Sequence, residues 1–365
     1  MPKIKDIIDF LETFAPSSYQ ESYDNTGLLT GNAFDELNGV LITLDITETV
    51  IEEAIKKNCN LIISHHPIIF KGLKKLTGGN YVERVVISAI KNNLALYASH
   101  TNLDNVYNGV NKRIADKIGL LNTRILAPKK NILSKLTTFV PIKDTEKVLE
   151  ALSLAGAGNI GNYKKCSFRT EGIGTFLPSE QATPTIGIKN KLEEVKENRI
   201  EVLFPTYLQK QIIAALYAAH PYEEVAYYLQ QTENENQEVG SGIIGELEEK
   251  MEEKVFFQYL KKHMQLKSIK ITSLLNKPIK VVAICGGAGS FLISHAIASK
   301  ADVFISSDFK YHEFFDAENK IVITDIGHYE SEIFTKDLIY EILKKYFTNI
   351  ALNLSETVTN PISYF

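Results

Sequence analysis

Tryptophan is absent from this chain of 365 residues, and cysteine occurs only three times. Cys59, Cys166 and Cys285 are odd in number and widely spaced, and none forms a Cys-x-x-Cys pair. Neither a disulfide framework nor a cysteine zinc site is supported, and reduced thiols in a cytoplasmic protein are expected. No apolar run approaches the ~20 residues of a membrane span. The opening Met1-Pro2-Lys3-Ile4-Lys5-Asp6 has no signal-peptide pattern. A basic excess is missing as well. The 40 Lys and Arg are outnumbered by 44 Asp and Glu, leaving a net charge of −4. Binding to nucleic acid is therefore not favoured. Phosphate fingerprints are also lacking. The glycine-rich stretch from Ala155 to Tyr163 meets neither the Walker spacing nor Gly-x-Gly-x-x-Gly, so it reads as a turn.

The chain is long enough for a large core and two or more domains. Apolar positions Ile4, Ile7, Ile8, Leu11 and Phe14 predict a helix over residues 3–14. Residues 38–45 predict a buried strand with an acidic end, and Thr47 caps a helix over 48–57. Next comes Leu61-Ile62-Ile63-Ser64-His65-His66-Pro67. Three apolar residues end a buried strand and Pro67 stops the ladder, so the paired histidines sit where strand becomes loop. Ligands of open α/β sheets gather at that edge. A helix over 81–92 and a strand at 94–99 follow, the strand ending in His100-Thr101-Asn102-Leu103-Asp104. Strand-helix-strand alternation predicts a parallel sheet with helices on its faces. His65, His66, His100 and Asp104 then share one rim, and imidazoles beside a carboxylate suit a hydrolytic metal.

The pattern changes near Ala127-Pro128-Lys129-Lys130, and a separate α+β module is expected at 130–237. Its polar end, residues 232–240, reads as a loop or boundary. Within it, His220 reads as a packing or interface residue rather than a ligand. After Met251 the α/β pattern returns. Lys280 to Ser290 predicts a strand, a glycine turn and a helix whose first N–H groups can hold an anion. A last strand leads to Asp325-Ile326-Gly327-His328-Tyr329-Glu330-Ser331-Glu332. If a helix starts at His328, Glu332 shares its face at i+4 and both reach one metal. If the segment stays extended, Glu330 shares that face instead.

Taken together, Ser22-Tyr23-Asp24-Asn25-Thr26-Gly27-Leu28, Leu44-Asp45-Ile46-Thr47, Ser64-His65-His66-Pro67, His100-Thr101-Asn102-Leu103-Asp104 and the His328 segment resemble the NIF-three-like dinuclear metal-centre family, the type-two homologues of GTP cyclohydrolase I. The resemblance covers essentially the whole chain. It implies an α/β core with parallel-type sheets, formed by residues 1–129 and 238–365. A ferredoxin-like α+β insert, similar to PII and CutA proteins, interrupts this core at 130–237. It implies two divalent metal ions held by His65, His66, Asp104, His328 and Glu332, with Asp104 or Glu332 bridging. Zinc or iron come first as the metal, manganese or cobalt after them. His100 and His312 match family positions near the metals, as proton carriers or as supports of the ligands. A homohexamer is implied too. The implied function is a metal-dependent hydrolase of GTP-cyclohydrolase-like type, acting on a nucleotide or related small molecule through a metal-activated water. The alternative, from another class, is a non-catalytic metal-binding assembly or a regulatory protein with a ligand-sensing insert.

Overall fold

A computed structural model describes residues 2–364. The chain forms two compact units, one from the residues up to Pro128 together with those from Glu238 onward, the other Lys129–Gln237. Among the described residues no helix is long and apolar enough to cross a membrane.

The first unit is built on two sheets. One runs, in spatial order, through Gly27–Thr30, Ala95–Ala98, Leu61–Ser64, Val40–Thr43 and Leu352–Leu354. The last four are parallel, and Gly27–Thr30 pairs antiparallel at the edge. The three middle strands are buried along their whole length. Their unbroken apolar runs are what a parallel strand covered on both faces requires. Helices Glu48–Lys56 and Tyr81–Lys91 bring Val50, Ile51, Val85 and Val86 onto Leu41, Ile62 and Leu96. Each side chain so buried stabilises the fold by about 1.5–3 kcal/mol. Thr47 accepts a hydrogen bond from the Val50 amide at 3.3 Å and so starts the first of these helices.

The second sheet runs through Lys270–Ile271, Val322–Asp325, Val303–Ser307, Ile279–Ala288, Asn236–Met251 and Leu121–Lys129. Its three middle strands after the first are parallel. Two sequence expectations are modified here. The polar stretch 232–240, expected as a loop or boundary, does contain the division between the two units, but it is irregular only at 233–235 and then enters the long strand Asn236–Met251. Its apolar half fixes the register, with Ile243 opposite Ile284, and that pairing carries the polar half along. Gly286 and Gly287 are not a turn; they lie inside the strand Ile279–Ala288.

The second unit is a four-stranded antiparallel sheet in the order Phe168–Phe176, Glu193–Pro205, Leu133–Pro141, Tyr227–Thr232. With helices Thr145–Leu154 and Gln209–Ala219 in chain order, this is the ferredoxin-like βαββαβ arrangement. Leu136, Val140, Ile200, Val202 and Phe204 meet Val148, Leu152, Ile212 and Leu216 in its core.

The C-terminal strand Leu352–Leu354 pairs with Val40–Thr43, and the residues just after it are gripped by one side chain from the first αβ unit. Glu53 accepts from the Ser355 hydroxyl at 2.6 Å, the Glu356 amide at 2.9 Å and the Thr357 hydroxyl at 2.7 Å. Lys57 pairs with it at 2.9 Å. Burial alone would raise the Glu53 carboxyl, but these donors outweigh it and hold its pKa at about 2. A depressed carboxyl stabilises the fold fully above its free value of 4.5 and loses that contribution as pH falls towards about 2. Glu53→Gln should therefore be less stable than wild type at neutral pH, by up to roughly 3 kcal/mol. Urea midpoints of the two proteins should converge progressively below about pH 5. A gap that stays constant down to about pH 3 would show that the charge on Glu53 does not hold the strand.

Candidate metal centre

The carboxyl ends of the parallel strands bring the polar residues together. The Leu44 carbonyl accepts from both the His65 and His66 amides, at 3.1 and 3.0 Å. This shared acceptor bends the chain before Pro67, so two consecutive rings, 4.9 Å apart, reach the same place. His100 follows the next strand and lies 5.2 Å from His65 and 5.4 Å from His66, ring to ring. From the second sheet, Gly327 turns the chain with φ +89°. A short helix, His328–Glu332, begins there. His328 and Glu332 thus share a face, and Glu330 turns away to accept from Asn360 at 3.0 Å.

Four imidazoles meet here, and each is tied back through Nδ1. His65 Nδ1 donates to the Ser99 carbonyl at 2.9 Å. His66, His100 and His328 pair through Nδ1 with Asp45 at 2.7 Å, Asp24 at 2.8 Å and Asp308 at 2.7 Å. These bonds set the tautomer and leave Nε2 facing inward. His66 Nε2 and His328 Nε2 lie 3.2 Å from each other. One oxygen of Glu332 is 2.9 Å from His66 and 3.0 Å from His328, while the other faces His65 at 3.6 Å. Asp104 faces His65 at 3.7 Å.

The electrostatics are those of a cation site. Burial opposes a charge on His66, yet Asp45 and Glu332 outweigh it and lift its pKa to about 10. His328 is likewise lifted to about 9 by Glu332 and Asp308 against burial. Burial and the neighbouring Glu332 carboxylate push Asp104 up. Glu332 itself is held low, because His65, His328 and His66 outweigh its burial. Burial pushes Asp24 up as well, but His100 and Thr101 hold it at about 2. Burial raises the Cys285 thiol, with Asp104 and Glu332 adding to the effect, so it stays protonated beside the cluster.

Two buried atoms, His65 Nε2 and Asp104 Oδ1, have no hydrogen-bond partner. An orphaned buried polar atom costs roughly 1–3 kcal/mol, and a cation between the two would remove that cost. Three overlapping triads place their ligand atoms within 4.8 Å: His65–His66–His100, His66–His328–Glu332 and His65–Asp104–Glu332. These residues can hold a metal ion. Gly287 makes the arrangement feasible: it adopts φ +61°, and a Cβ there would lie 2.4 Å from Glu332 Oε1. The amides of Gly286 and Gly287 are already bonded to Asn111 and Ser331, so the expected anion cradle is spent on positioning the cluster.

Of the residues singled out in the sequence, His65, His66, His100, Asp104, His328 and Glu332 converge. His312 does not join them. It is exposed, with its ring 5.2 Å from Tyr311 and 6.2 Å from Phe315. The 3₁₀ helix Tyr311–Ala317 carries it at the surface. The sequence reading passed over Asp24, Asp45 and Asp308 as orienting groups. Their signal was present: Asp45 and Asp308 each follow a buried strand closely, as the histidines do. A cavity of about 520 Å³ opens beside the cluster, walled by Tyr23, Phe70 and Phe291.

A profile of the family Duf34/NIF3 (NGG1p interacting factor 3) matches residues 2–361. The GTP cyclohydrolase 1 type 2 homolog of Bacillus subtilis is 38% identical, the match covering 98% of this chain and 97% of that protein. The protein of the same name from Halalkalibacterium halodurans is also 38% identical, covering 98% of each. Among solved structures, a Bacillus cereus protein related to NIF3 superposes with a TM-score of 0.87 at 36% identity, covering 100% of this chain and 99% of that one. A Staphylococcus aureus protein superposes with a TM-score of 0.80 at 31% identity over the same shares. On the match along its whole length, this chain belongs to the Duf34/NIF3 family.

Proposed function

We propose that this protein is a metal-dependent hydrolase whose two divalent ions are held by His65, His66, Asp104, His328 and Glu332. The observation that carries this reading is the convergence of Nε2 atoms and carboxylate oxygens around two buried atoms that lack partners. Glu332 would hold metal through both carboxylate oxygens, which face different histidines, one His65 and the other His66 and His328. Bound divalent ions supply Lewis acidity and lower the pKa of a coordinated water towards neutrality. The chain does the rest. Asp45 and Asp308 hold His66 and His328 in the tautomer that presents Nε2. His100, held by Asp24 at Nδ1, carries protons at Nε2. Tyr23, Phe70 and Phe291 form an aromatic rim that stacks a planar ring and excludes water from one side.

The relatives' name points to a purine nucleotide opened at a ring carbon. Among the described residues lining the cavity there is no lysine or arginine. A triphosphate would meet no lysine or arginine there, would have only the bound ions and the histidines to balance it, and would face Glu21, Asp104 and Glu332. The lining therefore favours a heterocycle or nucleoside of low charge, cleaved at a cyclic amide or amidine carbon, over GTP itself. The open cavity beside the cluster supports catalysis over storage, since a storage site closes its coordination shell.

Metal analysis after loading with zinc or iron should find two ions per chain in wild type and a loss in His65→Ala. His100→Ala should keep the metal and lose turnover; loss of metal there would make His100 a ligand instead. Asp45→Asn should weaken metal binding about 10–100-fold while the fold is kept, measured by chelator competition. A panel of nucleosides, nucleoside triphosphates, phosphodiesters and cyclic amides should give turnover that His65→Ala lacks. Equal rates in the two proteins would remove the hydrolase reading.

A further inference from the structure

The ferredoxin-like unit has a cavity of its own, about 740 Å³, on the sheet face that its two helices leave bare. Strand alternation separates the two faces. Ile200, Val202 and Phe204 point at the helices, while Glu197 and Arg199 point the other way. An antiparallel sheet with one free face normally shows water a polar surface. This face instead carries Phe139, Phe176 and Tyr228, joined by Tyr222 from the loop after the second helix. The rings meet edge to face, Phe139 with Tyr228 and Phe176 with Tyr222, both at 5.9 Å. The segment from Leu177 to Ile186 roofs the cavity. It is tethered by the Thr183 amide donating to Glu223 at 2.7 Å and the Thr185 hydroxyl donating to the Pro221 carbonyl at 2.8 Å.

Glu197 sits at the base, only 6% exposed. One of its oxygens accepts from the Tyr222 hydroxyl at 2.8 Å. The other lies against Gly174, where a Cβ would come within 2.1 Å. Among the described residues no basic side chain pairs with this carboxylate. Arg199, two residues along the same strand and on the same face, pairs with Glu201 at 2.6 Å. His220 is adjacent but neutral: Nε2 donates to the Phe139 carbonyl at 2.9 Å and Nδ1 accepts from the Tyr222 amide at 3.1 Å. A buried carboxylate without a counter-charge is retained at a cost unless something else supplies the charge. Aromatic faces around it attract cations.

From this geometry we infer that the cavity binds a small organic cation, an ammonium group on an aromatic or branched apolar body, with Glu197 as its counter-ion. The rings hold the body, the roof segment closes over it, and the ammonium meets the second Glu197 oxygen. The inference stands apart from the metal centre, since every residue it uses lies within Lys129–Gln237.

Calorimetric titration of the full chain tests it, with phenethylamine as the probe and 2-phenylethanol and phenylacetate as neutral and anionic controls of like size. Phenethylamine should saturate at one per chain, and both controls should bind at least about tenfold more weakly. Glu197→Gln should lose about tenfold or more in amine binding, while Tyr222→Phe, which keeps the charge, should stay within about threefold. Without amine, Glu197→Gln should melt no lower than wild type, whereas a purely structural carboxylate would lower it. Amide hydrogen exchange should slow at residues 170–186 and 222–228 when phenethylamine is added. The inference falls if the alcohol binds as well as the amine, or if Glu197→Gln binds the amine unchanged. It also falls if protection appears around His66 instead. Absence of binding, with Glu197→Gln shifting the sedimentation of the protein, would assign the face to a second copy of the chain and overturn it too.

Discussion

The tie on each imidazole Nδ1 is the interaction on which the rest of the site depends. Free histidine presents either nitrogen and rotates freely. Here a carbonyl and three aspartates fix four rings so that four Nε2 atoms face inward. That order is expensive in solvation, because His65 is fully buried and Glu332 nearly so. Carboxylates offset it by creating a negative potential that lifts the pKa of His66 and His328 well above the ordinary imidazole value. A potential that retains protons so firmly is also one that binds a divalent cation in their place.

The anchors come from parts of the chain far apart in sequence, so the site exists only when the fold is complete. Asp45 bonds His66 with one oxygen and accepts from Thr359 with the other, at 2.6 Å. Thr359 is in turn delivered by the strand Leu352–Leu354, docked beside Val40–Thr43 and clamped by Glu53. Glu330 is occupied by Asn360 in the same segment. The orientation of the His66 ring is therefore tied to the docking of the C-terminal segment through Asp45 and Thr359, a contact across some three hundred residues.

Most of the converging residues could be found from the sequence because one rule placed them: an apolar run, then a polar residue at its carboxyl end. That rule finds His65, His66, His100 and His328. Helical spacing adds Glu332 over Glu330 once the chain turns at Gly327. The rule says nothing about which acid supports which ring, since Asp24, Asp45 and Asp308 look like ordinary turn and cap residues until the pairings are seen. His312 was named only through the family resemblance; it lies exposed beside the exposed aromatics Tyr311 and Phe315, away from the converging residues. The strand Asn236–Met251 was hidden for another reason: half of it is polar, and only its partner Ile279–Ala288 makes it a strand. The ferredoxin-like unit was legible as an α+β module, yet its aromatic face was not. That cavity depends on a roof segment without regular structure between Phe176 and Glu193.

The glycines after Ala283 show how one sequence signal admits two structural uses. A glycine-rich strand end reads as an anion cradle when its amides are free. Here the Gly286 amide is bonded to Asn111, the Gly287 amide to Ser331, and the Gly287 carbonyl accepts from Ser306 and Ser307. The missing Cβ of Gly287 is what allows Glu332 to lie against the strand. Glycine therefore serves the cation side of the site, by admitting a carboxylate, and leaves nothing over for a phosphate. With no lysine or arginine among the described lining residues, the cavity has one means of balancing an anionic group, the cations its own histidines and carboxylates can gather. On the proposed hydrolase reading, selection among substrates would rest on the aromatic rim and on how little charge a ligand brings past Asp104 and Glu332.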